Sequence, residues 1–238
     1  KQILTINDLI ESNFNKFNYF KSNYKKFKLS RNNRVFLTCA TVILISLCYL
    51  LIPTFYNKDL IQTKIKNQIL KNYNINIKFN ENINYGLLPK PHFSAKNLSI
   101  FFDEKEIAVT KNLKIFIPIS KFFDFNSVNA KDLVFSKTDF SINQDDLSFF
   151  EKFLRTEPNE NKIQIKNSNI FFKNKNDEIL FINKIDNSNF YYDLNNLVNV
   201  LDSSNEIFNV PYKLSISNDR FNKKIYGDFN SKKIRLNI

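Results

Sequence analysis

The hydrophobic positions of this chain follow three patterns in succession. Val35–Ile52 has no charged residue and consists mostly of Leu, Ile, Val, Ala, Phe and Cys. A hydrophobic stripe with a spacing of four then follows within residues 57–73: Ile61, Ile65, Ile69 and Tyr73. From Ile75 onward, hydrophobic residues alternate with polar ones. The three patterns predict an apolar helix, an amphipathic helix and a series of strands.

The first pattern predicts a membrane span. A helix over Val35–Ile52 rises about 27 Å, close to the thickness of about 30 Å of a bilayer's hydrocarbon core. A buried helix of a soluble protein would show a polar stripe, and Thr38, Thr41 and Ser46 are too few to make one. We therefore assign residues 35–56 to a transmembrane signal anchor.

The charges on either side of the span predict its orientation. Several basic residues precede it, and no acidic residue lies between Asn13 and Arg34: Lys16, Lys21, Lys25, Lys26, Lys28, Arg31 and Arg34. Because cationic flanks stay in the cytoplasm, residues 1–34 are predicted to be cytoplasmic and residues 57–238 to be exported. A cleaved signal peptide is disfavoured, since its basic segment would exceed about thirty residues.

The basic segment also contains aromatic residues with helical spacing: Phe14, Phe17, Phe20, Tyr24 and Phe27. Two interpretations are open. The segment lies on anionic lipid beside the span, or it is a tail that supplies only the topogenic charge.

The alternation after Ile75 predicts a mainly β fold of antiparallel strands with one apolar and one solvated face. The clearest alternating sets are Leu98, Ile100 and Phe102; Leu113, Ile115 and Ile117; Phe140 and Ile142; Ile163 and Ile165; and Tyr212, Leu214 and Ile216. One further helix is predicted near residues 145–155, where Asp145 and Asp146 precede an apolar face. The expected fold therefore has helices near 57–73 and 145–155 and strands elsewhere.

A weak repeat accompanies the strands. Lys96–Phe101 resembles Lys111–Phe116, and Lys131–Phe135 and Lys166–Phe171 are looser copies. A turn-like dipeptide followed by an alternating strand predicts a meandering or stacked sheet.

Composition limits the possible functions. The net charge is +12, with 35 Lys and Arg against 23 Asp and Glu, but the lysines outside the N-terminal segment are scattered. Asn, Lys, Ile and Phe all have AT-rich codons, so the charge is weak support for nucleic-acid binding.

Cys39 and Cys48 both lie within the span, on opposite helix faces, so the exported part has no disulfide framework. A bacterial periplasmic domain fits this pattern. The chain contains no Met and finishes in an alternating pattern, which suggests a piece of a longer protein.

The residue types that catalysis requires are scarce. His92 is the only histidine, and Gly86 and Gly227 are the only glycines. A zinc site, a Ser–His–Asp triad and a glycine-rich phosphate loop are therefore disfavoured. The pair Asp145 and Asp146 is explained by the helix dipole. We expect no catalytic residue, no metal site and no cofactor, and hence a protein that is not an enzyme.

The order of these features resembles a known family. The chain has segments that look like successive elements of that family: a helix at Asn57–Ile65, a first strand at Ile75–Phe79 and a proline-containing turn at Tyr85–Phe93. Later strands follow with the spacing of that family: Ser94–Phe102, Ile107–Ile119, Val128–Ile142 and Ile163–Phe172. After a basic flank and one span, this combination resembles the N-terminal region of the AsmA family of bacterial envelope proteins. The resemblance covers roughly residues 35–238.

The resemblance implies an elongated, curved antiparallel sheet whose apolar groove carries phospholipid from the inner membrane across the periplasm toward the outer membrane. The candidate groove residues are Leu98, Ile100, Phe102, Leu113, Ile115 and Ile117. The same residues also suit an ordinary core beneath the amphipathic helices, and both interpretations stay open. The expected partners are membrane lipids, with envelope or outer-membrane assembly proteins as further partners.

Two other classes of function compete with lipid transport. A non-enzymatic scaffold or regulator of outer-membrane protein assembly would use an exposed sheet edge. A membrane-tethered nucleic-acid binder would use residues 16–34, and topogenic charge already explains that segment.

Overall fold

The computed structural model describes residues 30–122, 130–159 and 161–238. The described residues divide into two compact units, the first ending at Tyr49 and the second being Leu50–Ile238. The predicted aromatic helix face within residues 14–27 lies outside the described residues.

The first unit contains most of helix α1, Arg31–Leu51. Among the described residues, Asn32–Phe55 is the one helical segment long and apolar enough to cross a membrane, and its most apolar 18 residues have a mean hydropathy of 2.6 and none of them is buried. The hydroxyls of Thr38 and Thr41 donate to carbonyls one turn earlier, at 2.9 and 2.8 Å, so they present little polarity to the surroundings. The predicted apolar helix is confirmed.

Helix α2 spans Lys58–Tyr73 and confirms the amphipathic helix predicted at 57–73. Asn57 caps its start, since Oδ1 accepts from the backbone N–H groups of Asp59 and Leu60 at 3.0 and 3.2 Å. Asn74 ends it in the left-handed region, with φ 53°. The stripe with a spacing of four is its buried face: Ile61, Ile65, Ile69 and Tyr73.

The second unit is built on one large sheet. Strands make up 50% of the described chain and helices 27%. The strands are β1 (Asn76–Phe79), β2 (Asn84–Gly86), β3 (His92–Phe102), β4 (Lys105–Phe116), β5 (Asp132–Asn143), β6 (Lys162–Lys173), β7 (Ile179–Asp193), β8 (Val198–Ile207), β9 (Val210–Asp219), β10 (Lys224–Ser231) and β11 (Leu236–Asn237). Their order in the sheet is β1-β3-β4-β5-β6-β7-β8-β9-β10-β11, with β2 beside β3. The mainly β fold is confirmed, and most neighbours are antiparallel hairpins.

One strand pair departs from the antiparallel expectation. β5 and β6 are parallel, with Leu133 beside Ile163 and Phe140 beside Ile170. A parallel pair needs a crossover connection, and the segment between these strands contains helix α3, Leu147–Leu154. The sheet is therefore mixed, because this helix carries the chain back along the sheet before β6 begins.

The start of α3 explains the acidic pair. A short 3₁₀ turn, Gln144–Asp146, precedes the helix, so the α-helix is shorter than the predicted 145–155. Asn143 and Asp146 form a reciprocal cap, in which the Asn143 N–H donates to Asp146 Oδ2 at 2.9 Å and the Asp146 N–H donates to Asn143 Oδ1 at 3.1 Å. The structure thus places Asp146 in a helix cap.

The alternation of buried and exposed side chains breaks at the same level in several neighbouring strands. Asn97, Lys137 and Asn167 have φ of 48°, 56° and 48°, and the β7–β8 register shifts between Ile185 and Asn187. At Asn97 the alternation reverses, so that odd positions before it and even positions after it share one face, while the β3–β4 register is the same on both sides of it. Two of the repeated Lys-Asn dipeptides, at residues 96–97 and 166–167, therefore lie at such breaks within strands instead of at turns between them.

The core lies on one face of the sheet, which we call the inner face. Its fully buried residues on β3, β4 and β5 include Leu98, Leu113, Ile115, Leu133 and Ile142. α2 contacts β1, and Gln68 joins it to the start of β5 by accepting from the Ala130 N–H at 2.8 Å and donating to the Ala130 carbonyl at 3.1 Å. Hydrophobic side chains fill this part of the inner face.

Candidate ligand-binding cavity

The inner face changes character after β5. Beyond the filled core, the structure contains a cavity of about 350 Å³, within the size range of small-molecule sites. Its walls come from α3 and from strands β5 to β9, with Ile75 and Ile100 at one side. Most of these residues are Ile, Leu and Phe.

Strand register explains why apolar residues meet here. Phe135 lies beside Ile165, and Ile163 lies beside Phe190, which in turn lies beside Leu201. Leu201 lies beside Ile216 on β9. Neighbouring residues in register share one face of the sheet, so alternation in five separate strands becomes one apolar wall.

Helix α3 shows that the sheet is curved around this cavity. The rings of Phe149 and Phe102 on β3 are 5.1 Å apart, while the Leu154 carbonyl accepts from Asn218 Nδ2 on β9 at 2.9 Å. In a flat sheet β3 and β9 would lie about 29 Å apart, whereas an eight-residue helix rises only about 12 Å. The inner face must therefore be concave for one short helix to contact both strands.

Polar contacts hold α3 at both of its ends. Lys105 Nζ lies 2.7 Å from Asp146 Oδ2 at the start of the helix. At the other end, the buried Asn199 donates to the carbonyls of Leu154 and Thr156 at 3.1 and 2.9 Å. These bonds satisfy carbonyls that a helix C-terminus leaves without intrahelical partners. Side chains of the sheet therefore anchor α3, the helix that forms one wall of the cavity.

Two groups of lining residues lie at different levels along the strands. We call the group Phe153, Leu154, Leu201 and Ile216 the α3 end of the cavity. We call the group Phe172, Phe181 and Ile207, next to the β6–β7 and β8–β9 hairpins, the hairpin end. Leu201 and Ile207 are separated by about 20 Å along β8.

Aromatic residues mark the hairpin end. The Phe172 and Phe181 rings stack with centroids 4.8 Å apart, and the Phe208 ring centroid lies 6.5 Å from that of Phe181. Phe208 is 76% exposed and has φ 49°, followed by Asn209 with φ 60°, so the hairpin turn holds a large apolar side chain in solvent. An exposed apolar side chain beside an apolar cavity suits contact with an apolar ligand or surface.

Five of the lining residues are polar. They are Asn183, Ser188, Ser203, Asn205 and Tyr212. The Tyr212 hydroxyl donates to Asn183 Oδ1 at 2.9 Å, and Ser203 Oγ donates to Asn205 Oδ1 at 2.7 Å. Burial raises the pKa of Tyr212, which keeps the phenol protonated and able to donate. Among the described residues, no charged side chain lines the cavity.

All six predicted groove residues are buried, with at most 8% of any side chain exposed. Leu98, Leu113 and Ile115 have no exposed surface and belong to the filled core, whereas Ile100 also lines the cavity. Phe102 contacts Phe149 of α3. Five of the six thus lie on β3 and β4 and Ile117 directly follows β4, and of the six only Ile100 lines the cavity.

Sequence reasoning did not single out the residues of β6 to β9 as a site. Ile165, Leu214 and Ile216 belong to alternating sets that predict strands, but alternation alone does not show which apolar face lacks a covering element. Asn183 and Asn205 gave no signal, because asparagine is abundant along the whole chain.

The sole histidine has a structural position. His92 is 5% exposed, and its Nδ1 lies 2.7 Å from the Lys90 carbonyl oxygen. A Cβ added at Gly86 would lie 3.0 Å from the imidazole, so glycine at residue 86 makes room for the ring. Within the described part of the chain, no group of three His, Cys, Asp or Glu side chains is placed to hold a metal ion.

Comparison with known proteins adds no assignment, since no protein family and no curated sequence matches this chain. The cavity and the apolar helix are therefore the features that bear on function.

Proposed function

We propose that this protein is anchored by one transmembrane helix and binds the acyl chains of phospholipids in the cavity between α3 and the concave sheet. The supporting observation is a cavity of about 350 Å³ whose wall is apolar and carries no charged side chain among the described residues. Each methylene group transferred from water into such a wall contributes about 0.8 kcal/mol. An apolar chain is the ligand that gains most in this cavity.

The proposed role is non-enzymatic lipid transport in the envelope of a bacterium. The resemblance to the AsmA family motivates this context, and the long apolar helix α1 supports attachment to a membrane. In this proposal the concave sheet shields acyl chains from water in the periplasm, and lipid moves toward the outer membrane. Membrane lipids are the proposed partners.

A photo-crosslinking experiment tests lipid binding. A photoreactive residue in place of Ile170, which lines the cavity, is expected to capture phospholipid in cells. The matched control is the neighbouring Phe171, whose side chain points to the opposite face of β6 and is expected to capture none. Mass spectrometry of the adducts identifies the captured molecule. Capture of a protein at Ile170, with no lipid adduct, would contradict lipid transport and favour a scaffold of outer-membrane protein assembly.

The orientation is proposed separately: residues 1–34 in the cytoplasm and residues 57–238 in the periplasm, with α1 in the inner membrane. The basic flank before the span supports this topology. Protease added to intact spheroplasts is expected to digest the C-terminal part and to spare a tag at the N-terminus, as detected by immunoblotting. Protection of the C-terminal part until the spheroplasts are lysed would show the reverse orientation.

A further inference from the structure

The polar lining residues are concentrated near the hairpin end of the cavity. Asn205 on β8 lies beside Tyr212 on β9, and the Tyr212 hydroxyl reaches across β8 to Asn183 on β7. We call Asn183, Asn205 and Tyr212 the amide cluster. It belongs to a lining that consists mostly of Ile, Leu and Phe, and Leu201 lies about 13 Å from Asn205 along β8, with the polar Ser203 between them.

The amide cluster has donors that no described residue uses. Asn183 and Asn205 are 7% and 4% exposed, and the Oδ1 atom of each accepts a hydrogen bond from a neighbouring hydroxyl. The amide nitrogen of neither residue donates to any described group, and both residues line the cavity. Among the described residues no buried side-chain nitrogen or oxygen lacks a partner, so these two amide nitrogens retain accessible surface at the cavity. A ligand that fills the cavity removes them from water, and the donors therefore favour a ligand that brings an acceptor.

The electrostatics of the wall restrict that acceptor to a neutral one. A carboxylate or phosphate placed here would lose its hydration without meeting a cation, since no described Lys or Arg lines the cavity. A hydrocarbon chain alone would leave the amide groups unpaired. A carbonyl oxygen accepts hydrogen bonds without charge and satisfies both conditions.

We propose that the amide cluster binds the ester carbonyl oxygens of a glycerolipid, with the acyl chain extending toward α3 and the charged headgroup outside the cavity at the hairpin end. This inference rests on the proposed function and adds the chemical class of the ligand. Esters join the apolar chain to the polar glycerol, which matches the change from the apolar wall to the amide cluster. The exposed Phe208 and the stacked Phe172 and Phe181 then lie where the ligand leaves the cavity.

Paired lipids that differ only at the ester test this inference. The purified full chain in detergent is incubated with an equimolar mixture of dipalmitoyl phosphatidylglycerol and its dihexadecyl ether analogue, which lacks the carbonyls. Retained lipid is quantified by mass spectrometry. The ester is expected to exceed the ether about tenfold, because two amide donors lose their acceptor in the ether complex.

Substitutions at the amide cluster and one control test whether the cluster causes the preference for the ester over the ether. Asn183→Leu and Asn205→Leu each remove one of the two donors and are each expected to lower the ratio of ester to ether from about tenfold to about threefold. The double variant is expected to bring the ratio close to one. Asn189→Leu makes the same change on the outer face of β7, where Asn189 contacts Gln164, and is expected to keep the tenfold preference. Circular dichroism shows whether each variant retains its strands.

The outcomes separate the two proposals. Equal retention of ester and ether by the unmodified protein overturns the role of the amide cluster and leaves acyl-chain binding in place. An undiminished tenfold preference in both asparagine variants also overturns it. Retention of neither lipid overturns the proposed function itself. The ratio for the unmodified protein is decisive even if a variant does not fold.

Discussion

Replacement of Leu214 by tryptophan is expected to reduce phospholipid retention at least tenfold while the fold persists. Leu214 lines the cavity from β9, where it lies beside Ser203. Adding a large side chain to a well-packed core costs about 1–3 kcal/mol, but here the indole enters a space of about 350 Å³. The new ring therefore occupies the volume that an acyl chain would take. Lipid that copurifies with the protein is measured by mass spectrometry, and the strand content by circular dichroism.

The control for this change is Lys213→Trp. Lys213 is the preceding residue on β9, it is exposed, and its side chain lies on the opposite face of the sheet. Lipid retention by this control should match that of the unmodified protein. Equal retention by Leu214→Trp and Lys213→Trp would place the lipid elsewhere and contradict the proposed cavity.

Replacement of Leu113 by alanine is expected to lower the free energy of unfolding by about 3 kcal/mol. Leu113 has no exposed surface and lies between Ala95 and Phe135 on the filled part of the inner face. Removal of a fully buried leucine side chain costs about 2–5 kcal/mol, since apolar burial is lost and a cavity remains. Urea denaturation followed by circular dichroism measures the change.

The matched comparison is Leu214→Ala. Leu214 is half-buried and already adjoins empty space, so the same substitution is expected to cost about 1 kcal/mol. A similar loss for both leucines would mean that β3–β5 and β6–β9 are packed alike, and the distinction between a filled core and a cavity would be wrong. This pair also separates damage to the fold from damage to lipid binding.

Local patterns were sufficient for the secondary structure. The stripe from Ile61 to Tyr73 faces inward in α2, because a spacing of four places its residues on one side of a helix. Alternation predicted the strands, since successive side chains of a strand point to opposite faces. The left-handed Asn97 shows the limit of this reasoning: the buried positions of β3 change there from odd to even without any change in composition.

The predicted groove residues illustrate what remained undecided. Leu113 lies between Asn112 and Lys114, Ile165 lies between Gln164 and Lys166, and nothing local distinguishes the two. In the structure Leu113 has no exposed surface, whereas Ile165 lines the cavity. The difference arises from which helix covers each part of the sheet, and this depends on residues distant in the chain.

The sequence by itself determined the apolar helix, the amphipathic helix and which side chains of most strands point inward, because these depend on the residues within one element. Only the tertiary structure decided that β5 and β6 are parallel, that the sheet curves around α3, and that Asn183 and Asn205 share a cavity with Tyr212. These features depend on contacts between strands separated by many residues, such as the bond from Asn218 to the carbonyl of Leu154. No local period encodes such a contact, since it follows from how complete elements pack together.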